Sequence, residues 1–203
     1  MEKNALGIVG TLRKNVQRRL SILQLAKEAG LSYNSCYKTV LRLERENVVV
    51  LRKEGAVRYT RVRPSLKTAL LLGYTSLLEA ELFLAKDAII KKIVGELISK
   101  MQLFLDGLVL FGSYAQGKAR KGSDLDLFCL SSEAAKVQVI ARHLALKYDK
   151  EIQVIGATKQ AFAEMLSEKG KVNVGKEVAE TGIVLYGYEA YWTIIINTLL
   201  KED

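Results

Sequence analysis

Apolar positions recur along this chain at helical spacing in some stretches and in β-branched runs in others, and the changes divide it into segments. Residues Asn4 to Arg19 carry Leu6, Val9, Leu12 and Val16 at intervals of three and four, which predicts one apolar helix face. Leu20-Ser21-Ile22 interrupts that pattern, and Ile22 to Ala29 resumes it with Leu25, Ala26 and Ala29 before Gly30 closes the helix. Leu31-Ser32 reads as a turn and N-cap for a third helix from about Tyr33 to Glu46, with Cys36, Val40 and Leu43 inward. Val48 to Arg52 and Val57 to Val62 are then rich in β-branched residues, and Lys53-Glu54-Gly55-Ala56 between them predicts a hairpin.

Pro64 ends the hairpin. Ser65 to Met101 is made mostly of helix formers, with apolar stripes at Leu66, Leu70, Leu77, Leu78 and Leu82 and then at Ile89, Ile93 and Leu97. A break near Gly73 to Ser76 predicts two helices or one kinked helix. The first is more apolar all round than a surface linker needs, so it is expected to pack against a second domain or a second subunit, as a connector that also dimerises. The remainder alternates strand and helix: strand Leu105 to Phe111, a Gly112-Ser113 loop, strand Asp124 to Leu130, helix Ala134 to Tyr148, strand Glu151 to Ile155 and helix Lys159 to Glu168. A short strand within Thr181 to Gly187 and a helix Tyr188 to Leu200 complete it. The expected class is α+β, with a helix-and-hairpin domain at 1–64, a helical connector at 65–101 and a mixed sheet flanked by helices at 102–203.

Charge sharpens this division. Residues 1–64 hold 14 Lys and Arg against 5 Asp and Glu, whereas residues 65–203 hold 17 of each, so the whole net charge of +9 belongs to the first third. Such asymmetry points to an N-terminal module that faces nucleic acid, joined to a neutral one. An apolar fraction of 49% suffices for packed cores, and a single proline leaves little room for disorder. With no apolar leader at Met1-Glu2-Lys3-Asn4 and no run of membrane-spanning length, a soluble cytoplasmic protein without a membrane partner is expected. Cys36 and Cys129 each fall at an apolar position and read as small buried hydrophobes, and His143 reads as an ordinary helix residue.

Candidate chemistry lies between Leu108 and Leu130. The apolar run Leu108-Val109-Leu110-Phe111 leads into Gly112-Ser113, and ten residues later comes Asp124-Leu125-Asp126-Leu127. On a strand both carboxylates leave one face, roughly 6.5–7 Å apart along the chain. That span suits a pair of divalent metals about 3.5–4 Å apart. Gly112 permits a tight turn and close backbone approach, and Ser113 offers a hydroxyl and an N–H. Lys118, Arg120 and Lys121, between Gly117 and Gly122, could reach the outer phosphates of a nucleoside triphosphate.

Gly112-Ser113 followed at this spacing by Asp124 and Asp126 resembles the nucleotidyltransferase superfamily that includes DNA polymerase β, in particular its minimal branch. The likeness covers roughly Lys86 to the C-terminus, and Gly182-Ile183-Val184-Leu185-Tyr186 is similar to the usual ending of that branch. It implies Mg²⁺ or Mn²⁺ in a two-metal site on Asp124 and Asp126, a triphosphate held by Gly112, Ser113, Lys118 and Lys121, and transfer of a nucleoside monophosphate to an acceptor hydroxyl. The family also needs a third carboxylate on a neighbouring strand. Gln153 stands where that acid usually falls, and Glu151, one strand step away on the same face, is the alternative catalytic carboxylate.

The N-terminal order of three helices and a hairpin resembles a winged helix-turn-helix, with Leu23 to Ser32 as its helix-turn entry. That implies a duplex-DNA partner, with Tyr33, Asn34, Ser35, Tyr37 and Lys38 on the base side and Arg42, Arg45, Arg52, Lys53 and Arg58 on the phosphate side. A homodimer and a partner protein supplying the acceptor are further expectations. The alternative reading is a non-catalytic transcriptional regulator or antitoxin-like protein with a degenerate transferase domain.

Overall fold

The computed structural model describes residues 2–170 and 172–200. Its contacts divide the chain into two units, 1–75 with 196–203, and 76–195.

In the first unit, α1 (Lys3–Lys14) is followed by β1 (Leu20–Ser21), α2 (Ile22–Glu28) and α3 (Tyr33–Arg45), then β2 (Val49–Glu54) and β3 (Val57–Val62). The first helix stops five residues before the expected end, at an Asn15 cap, and Arg18 donates to the Asn15 side chain at 2.7 Å. Leu20-Ser21, expected only as an interruption, is a short strand that pairs antiparallel with β3, giving the sheet order β1-β3-β2. Ser21 closes a capping box with Gln24 on α2, and Ser32 caps α3 through the Ser35 N–H. The hairpin turn is tighter than expected. Only Gly55 and Ala56 separate the strands, with Gly55 in the left-handed region at φ 58° that a two-residue turn demands.

Helix α4 (Leu66–Leu84) runs through Gly73 to Ser76 without the expected break. Thr75 returns its hydroxyl to the Leu72 carbonyl at 2.8 Å, so this polar stretch is satisfied inside the helix. The chain breaks instead before Asp87, whose carboxylate caps α5 (Ala88–Met101) by accepting from the Ile89 and Ile90 N–H groups.

The second unit is built on the sheet order β6-β5-β4-β7, from β4 (Leu105–Leu110), β5 (Leu125–Ser131), β6 (Ile152–Ala157) and β7 (Ile183–Tyr186). The β5–β6 pair is parallel and the others antiparallel. The connections are α6 (Gly112–Ala115), α7 (Ala134–Tyr148), α8 (Lys159–Ser167), α9 (Val174–Thr181) and, after β7, α10 (Tyr188–Leu199). Both faces of the sheet are covered. Leu108, Leu110, Leu125, Leu127 and Cys129 pack with Ile93, Leu97, Val137 and Leu144 of α5 and α7. On the opposite face Phe128 meets Phe162 of α8, which stacks on Tyr191 of α10. Burial on both sides explains why β4 and β5 read as nearly unbroken apolar runs, in which a charged residue stands out. Both cysteines are buried and free. Burial pushes the Cys36 thiol up to about 11 and that of Cys129 to about 12, so neither is a reactive thiolate. Among the described residues, no helix is long and apolar enough to cross a membrane.

Candidate functional site

β5 alternates, and the alternation sets the site. Leu125 and Leu127 point into the α5–α7 core, which turns Asp126 to the other face of the sheet, with Asp124 one step before the strand. Asp126 is locked in place by its backbone, since its carbonyl accepts from the Phe111 N–H at 3.0 Å. This bond ties the end of β4 to the start of β5 and brings Gly112 against the Asp126 carboxylate. Gly112 has φ 66°, and a Cβ there would overlap the Asp126 oxygen. A glycine is therefore required twice over, by backbone conformation and by space.

The carboxyl of Asp126 is raised above the usual carboxylate range, first by burial, then by the negative charges of Asp124 and of Glu177. Glu177 lies on α9, an element not anticipated from the sequence. Asp124 has a different neighbour: the Gln153 amide donates to its Oδ2 at 2.7 Å. Register accounts for this, because β6 runs parallel to β5 with Gln153 opposite Asp126.

Glu151 stands apart from the pair. It is exposed, its carbonyl accepts from the Leu125 N–H at 2.9 Å, and it lines a cleft with Arg142, Leu146, Asp149, Lys150 and Ile152. Among the described residues no group of three or more His, Cys, Asp or Glu could hold a metal ion, so Glu151 does not complete a triad with Asp124 and Asp126. The two aspartates are the donors that remain.

The loop from Gly112 to Ser123 is braced from within. The Lys118 N–H donates to the Ser113 carbonyl at 2.8 Å, and the Arg120 N–H to the Ser123 hydroxyl at 2.8 Å. Lys118 and Lys121 are exposed; the Lys118 ammonium donates to Gln116 at 2.9 Å. A residue missed in the sequence holds the two ends of the loop together. Lys150, just before β6, donates to the Tyr114 hydroxyl and to the Ser123 carbonyl, each at 2.6 Å, and lies 4.8 Å from the Tyr114 ring centre. Nothing in the sequence spacing singles out Lys150 among the many lysines, since its role comes from the parallel return of β6.

Residues 90–180 match the family model of the nucleotidyltransferase domain. The matched span opens inside α5, closes inside α9, and contains Gly112, Ser113, both aspartates, Lys150, Gln153 and Glu177. No curated protein matches the chain. A solved structure that resembles it is the crystal structure of a toxin–antitoxin with AMP-PNP, at 19% identity and a TM-score of 0.38, covering 53% of this chain and 84% of that one.

In the N-terminal unit, Tyr33, Asn34 and Lys38 are exposed on α3, while Ser35 and Tyr37 are half-buried. Tyr33 and Tyr37 stack at 6.2 Å, and the Arg58 guanidinium lies 5.3 Å from the Tyr37 ring centre, which gathers part of the base-side and phosphate-side sets on one surface. Lys53 and Arg58 are directly opposite each other on the hairpin, and Arg52 is exposed beside them. Arg42 is committed elsewhere, to Glu2 at 2.7 Å, and Arg45 returns its Nε to the Leu41 carbonyl at 3.3 Å.

Proposed function

We propose that the second unit binds a nucleoside triphosphate together with Mg²⁺ and transfers its nucleoside monophosphate to an acceptor hydroxyl. One observation carries this reading: the Asp126 carboxylate is held against Gly112 with the charge of Asp124 beside it, and Asp126 is driven toward protonation by burial and by like charge. A divalent cation relieves that repulsion. The donor set fits Mg²⁺, which characteristically takes one or two protein carboxylates and completes its shell with phosphate oxygens and water. A site of two aspartates is thus completed by its substrate. When bound, the metal would neutralise the triphosphate and polarise the α-phosphorus.

The chain's own residues then have defined tasks. Asp124 and Asp126 hold the cation. Gly112 lets the backbone approach the phosphates, and the Ser113 hydroxyl, which has no hydrogen bond among the described residues, is free to donate to them. Lys118 and Lys121 are placed on the loop to meet the outer phosphates, and Lys150 keeps that loop's ends together. In the transfer, the acceptor oxygen bonds to the α-phosphorus, the bond to the β-phosphate bridge breaks, pyrophosphate leaves, and the hydroxyl proton passes to solvent or a carboxylate.

The first unit is read as a winged helix-turn-helix that binds duplex DNA, with α3 toward the bases and the hairpin along the backbone. Lys53 facing Arg58 supports this, because like charges directly opposite on a hairpin are unfavourable until an anion lies between them. Arg42, ion-paired with Glu2, is the weakest of the proposed phosphate contacts. A homodimer and a protein acceptor remain part of the reading.

A second reading is favoured by Gln153. An amide bonded to Asp124 where the family's third acid is expected describes a site that binds nucleotide and does not transfer it, as in a regulator. Incubation with each α-labelled triphosphate, Mg²⁺ and candidate acceptors separates the two. Label on a macromolecule, lost in Asp124→Asn, supports transfer; calorimetric binding of Mg-triphosphate without label under any condition supports the regulator; no binding at all sinks both.

A further inference from the structure

Helix α4 buries its smaller side chains and turns its larger apolar ones to solvent. Inward go Thr68, Ala69, Leu72, Thr75, Ser76 and Ala80. Outward go Leu66, Leu70, Tyr74 and Leu82, which are 62%, 52%, 47% and 70% exposed, with Leu71, Leu77 and Leu78 half-buried between them. The helix is seated by its inner side, where the Ser76 hydroxyl accepts from the Trp192 indole N–H at 2.8 Å. A rotation that buried the leucines would leave that indole unpaired. So long a stripe of leucine turned to water is an apolar patch of the kind that marks an interface.

The symmetry of the stripe says what covers it. Counted from Tyr74, leucines stand three, four and eight residues away in both directions: Leu71 and Leu77, Leu70 and Leu78, Leu66 and Leu82. Seven residues out, within about 20° of the Tyr74 line around the helix, stand Lys67 on one side and Glu81 on the other. A surface that packs on a copy of itself across a two-fold axis must map onto itself in this way. With the axis at Tyr74 and the two helices antiparallel, leucine meets leucine and each Lys67 meets the Glu81 of the other copy, about 10 Å from the axis. A parallel pair would instead set lysine on lysine and glutamate on glutamate. Both charges are available. Glu81 is exposed and has no ion pair among the described residues. Lys67 donates to the Glu46 carbonyl at 3.0 Å and to its carboxylate at 3.3 Å, which uses two of its three N–H groups. Glu46 is itself shared with the Arg42 guanidinium at 3.9 Å. The third charge of α4, Glu79, lies roughly 140° around the helix from Tyr74 and outside this face. A membrane surface fits less well, because helices that lie on one are rich in Lys and Arg, whereas this stripe balances one lysine with one glutamate.

We propose that α4 is an isologous dimer interface on which a second copy of this chain packs antiparallel, with the two-fold axis at Tyr74 and Lys67 of each copy paired with Glu81 of the other. This rests on the homodimer of the reading above and gives it a surface, a direction and a register. Leu66 to Tyr74 belong to the first unit, so the axis also relates two first units. Duplex DNA held by both would carry its half-sites as an inverted repeat.

The test is analytical ultracentrifugation of the full chain without nucleotide or DNA. The expected result is a reversible dimer whose dissociation constant rises about tenfold or more in Tyr74→Glu, the size typical of a lost central anchor. Glu81→Lys and Lys67→Glu should each weaken the dimer, and an equimolar mixture of these two variants should restore it, since the mixed pair regains opposite charges at both ends. Lys67→Glu also loses the Glu46 contact, which mixing does not return, so the restoration reports the pairs between copies. All three positions are exposed, and unchanged far-ultraviolet circular dichroism of the variants shows that the fold is kept. A wild type that stays monomeric at near-millimolar concentration overturns the proposal and the homodimer together, whether it then binds anionic vesicles or another protein. A dimer indifferent to Tyr74→Glu, or weakened variants that mixing does not restore, overturns the proposal and leaves the homodimer standing. The transferase reading is untouched by either result, because nucleotide is absent.

Discussion

Replacing Gln153 by Glu exchanges an amide donor for a third negative charge beside Asp124 and Asp126. Without metal, two penalties follow. The 2.7 Å bond to Asp124 is lost, which costs about 1 kcal/mol at a site open to water. The new carboxylate also repels its neighbour: at about 4 Å that is roughly 1 kcal/mol in water and 4 kcal/mol at an effective dielectric constant of 20. Gln153 is exposed, so the lower end applies, and the total is about 2 kcal/mol. For a chain of this size that corresponds to a fall in Tm of about 4–8 °C. Gln153→Leu removes the bond and adds no charge, so it should lose only about half as much. Mg²⁺ reverses the sign for the glutamate variant, because three carboxylates bind it more tightly, and at a hundred times its Kd the ion returns about 2.7 kcal/mol. The assay is thermal unfolding of the wild type and both variants in EDTA and across a Mg²⁺ titration at fixed ionic strength. If Gln153→Glu and Gln153→Leu melt together in EDTA, or if Mg²⁺ raises both equally, then Gln153 does not face the aspartate pair as a ligand would and the reasoning fails.

Asp126 gives a pH signature. Its carboxyl is raised in the folded protein, so the native state holds that proton more tightly than the unfolded chain does, and stability falls as pH rises from about 4 through the folded value. Asp126→Asn should therefore raise Tm in EDTA at neutral pH and lose this advantage below about pH 4; a gain of equal size at both pH values would contradict the assignment. Gly112→Ala should cost at least about 1–2 kcal/mol from the left-handed backbone alone, and calorimetry should find triphosphate binding gone. Lys150→Met should speed amide exchange between Gly112 and Ser123 and leave exchange in β7 unchanged; identical exchange profiles would remove Lys150 as the brace. In the first unit, Lys53→Ala or Arg58→Ala should flatten the salt slope of duplex-DNA binding by about one unit each, while Arg42→Ala, already paired with Glu2, should change it less.

The strands and long helices of the second unit were legible because burial on both faces writes each strand as an apolar run and each flanking helix as a stripe. Asp124 and Asp126 were conspicuous for the same reason, as charges alternating with leucines at the head of such a run. What the sequence concealed depends on register. That Gln153, not Glu151, touches Asp124 follows from the parallel alignment of β5 with β6, and a one-residue slip would have exchanged their surroundings. Glu177 was hidden because α9 is short and begins next to Gly175, with little periodicity to mark it. The expected break at Gly73 to Ser76 was a misreading of residues whose hydroxyls can bond within a helix as well as end it.

The position of β7 has a consequence for how the chain is made. Its backbone pairs with Leu108 to Leu110 of β4, although β5, β6 and the helices α6 to α9 are all synthesised between them. Until Ile183 emerges, β4 has β5 on one side and an open, apolar hydrogen-bonding edge on the other, the template on which strands of separate molecules add to each other. Closing so long a loop makes this the late pairing of the sheet. A nascent or truncated chain that ends before Ile183 should therefore be the aggregating species, and the short segment Ile183–Tyr186 acts as the chain's own cap against it.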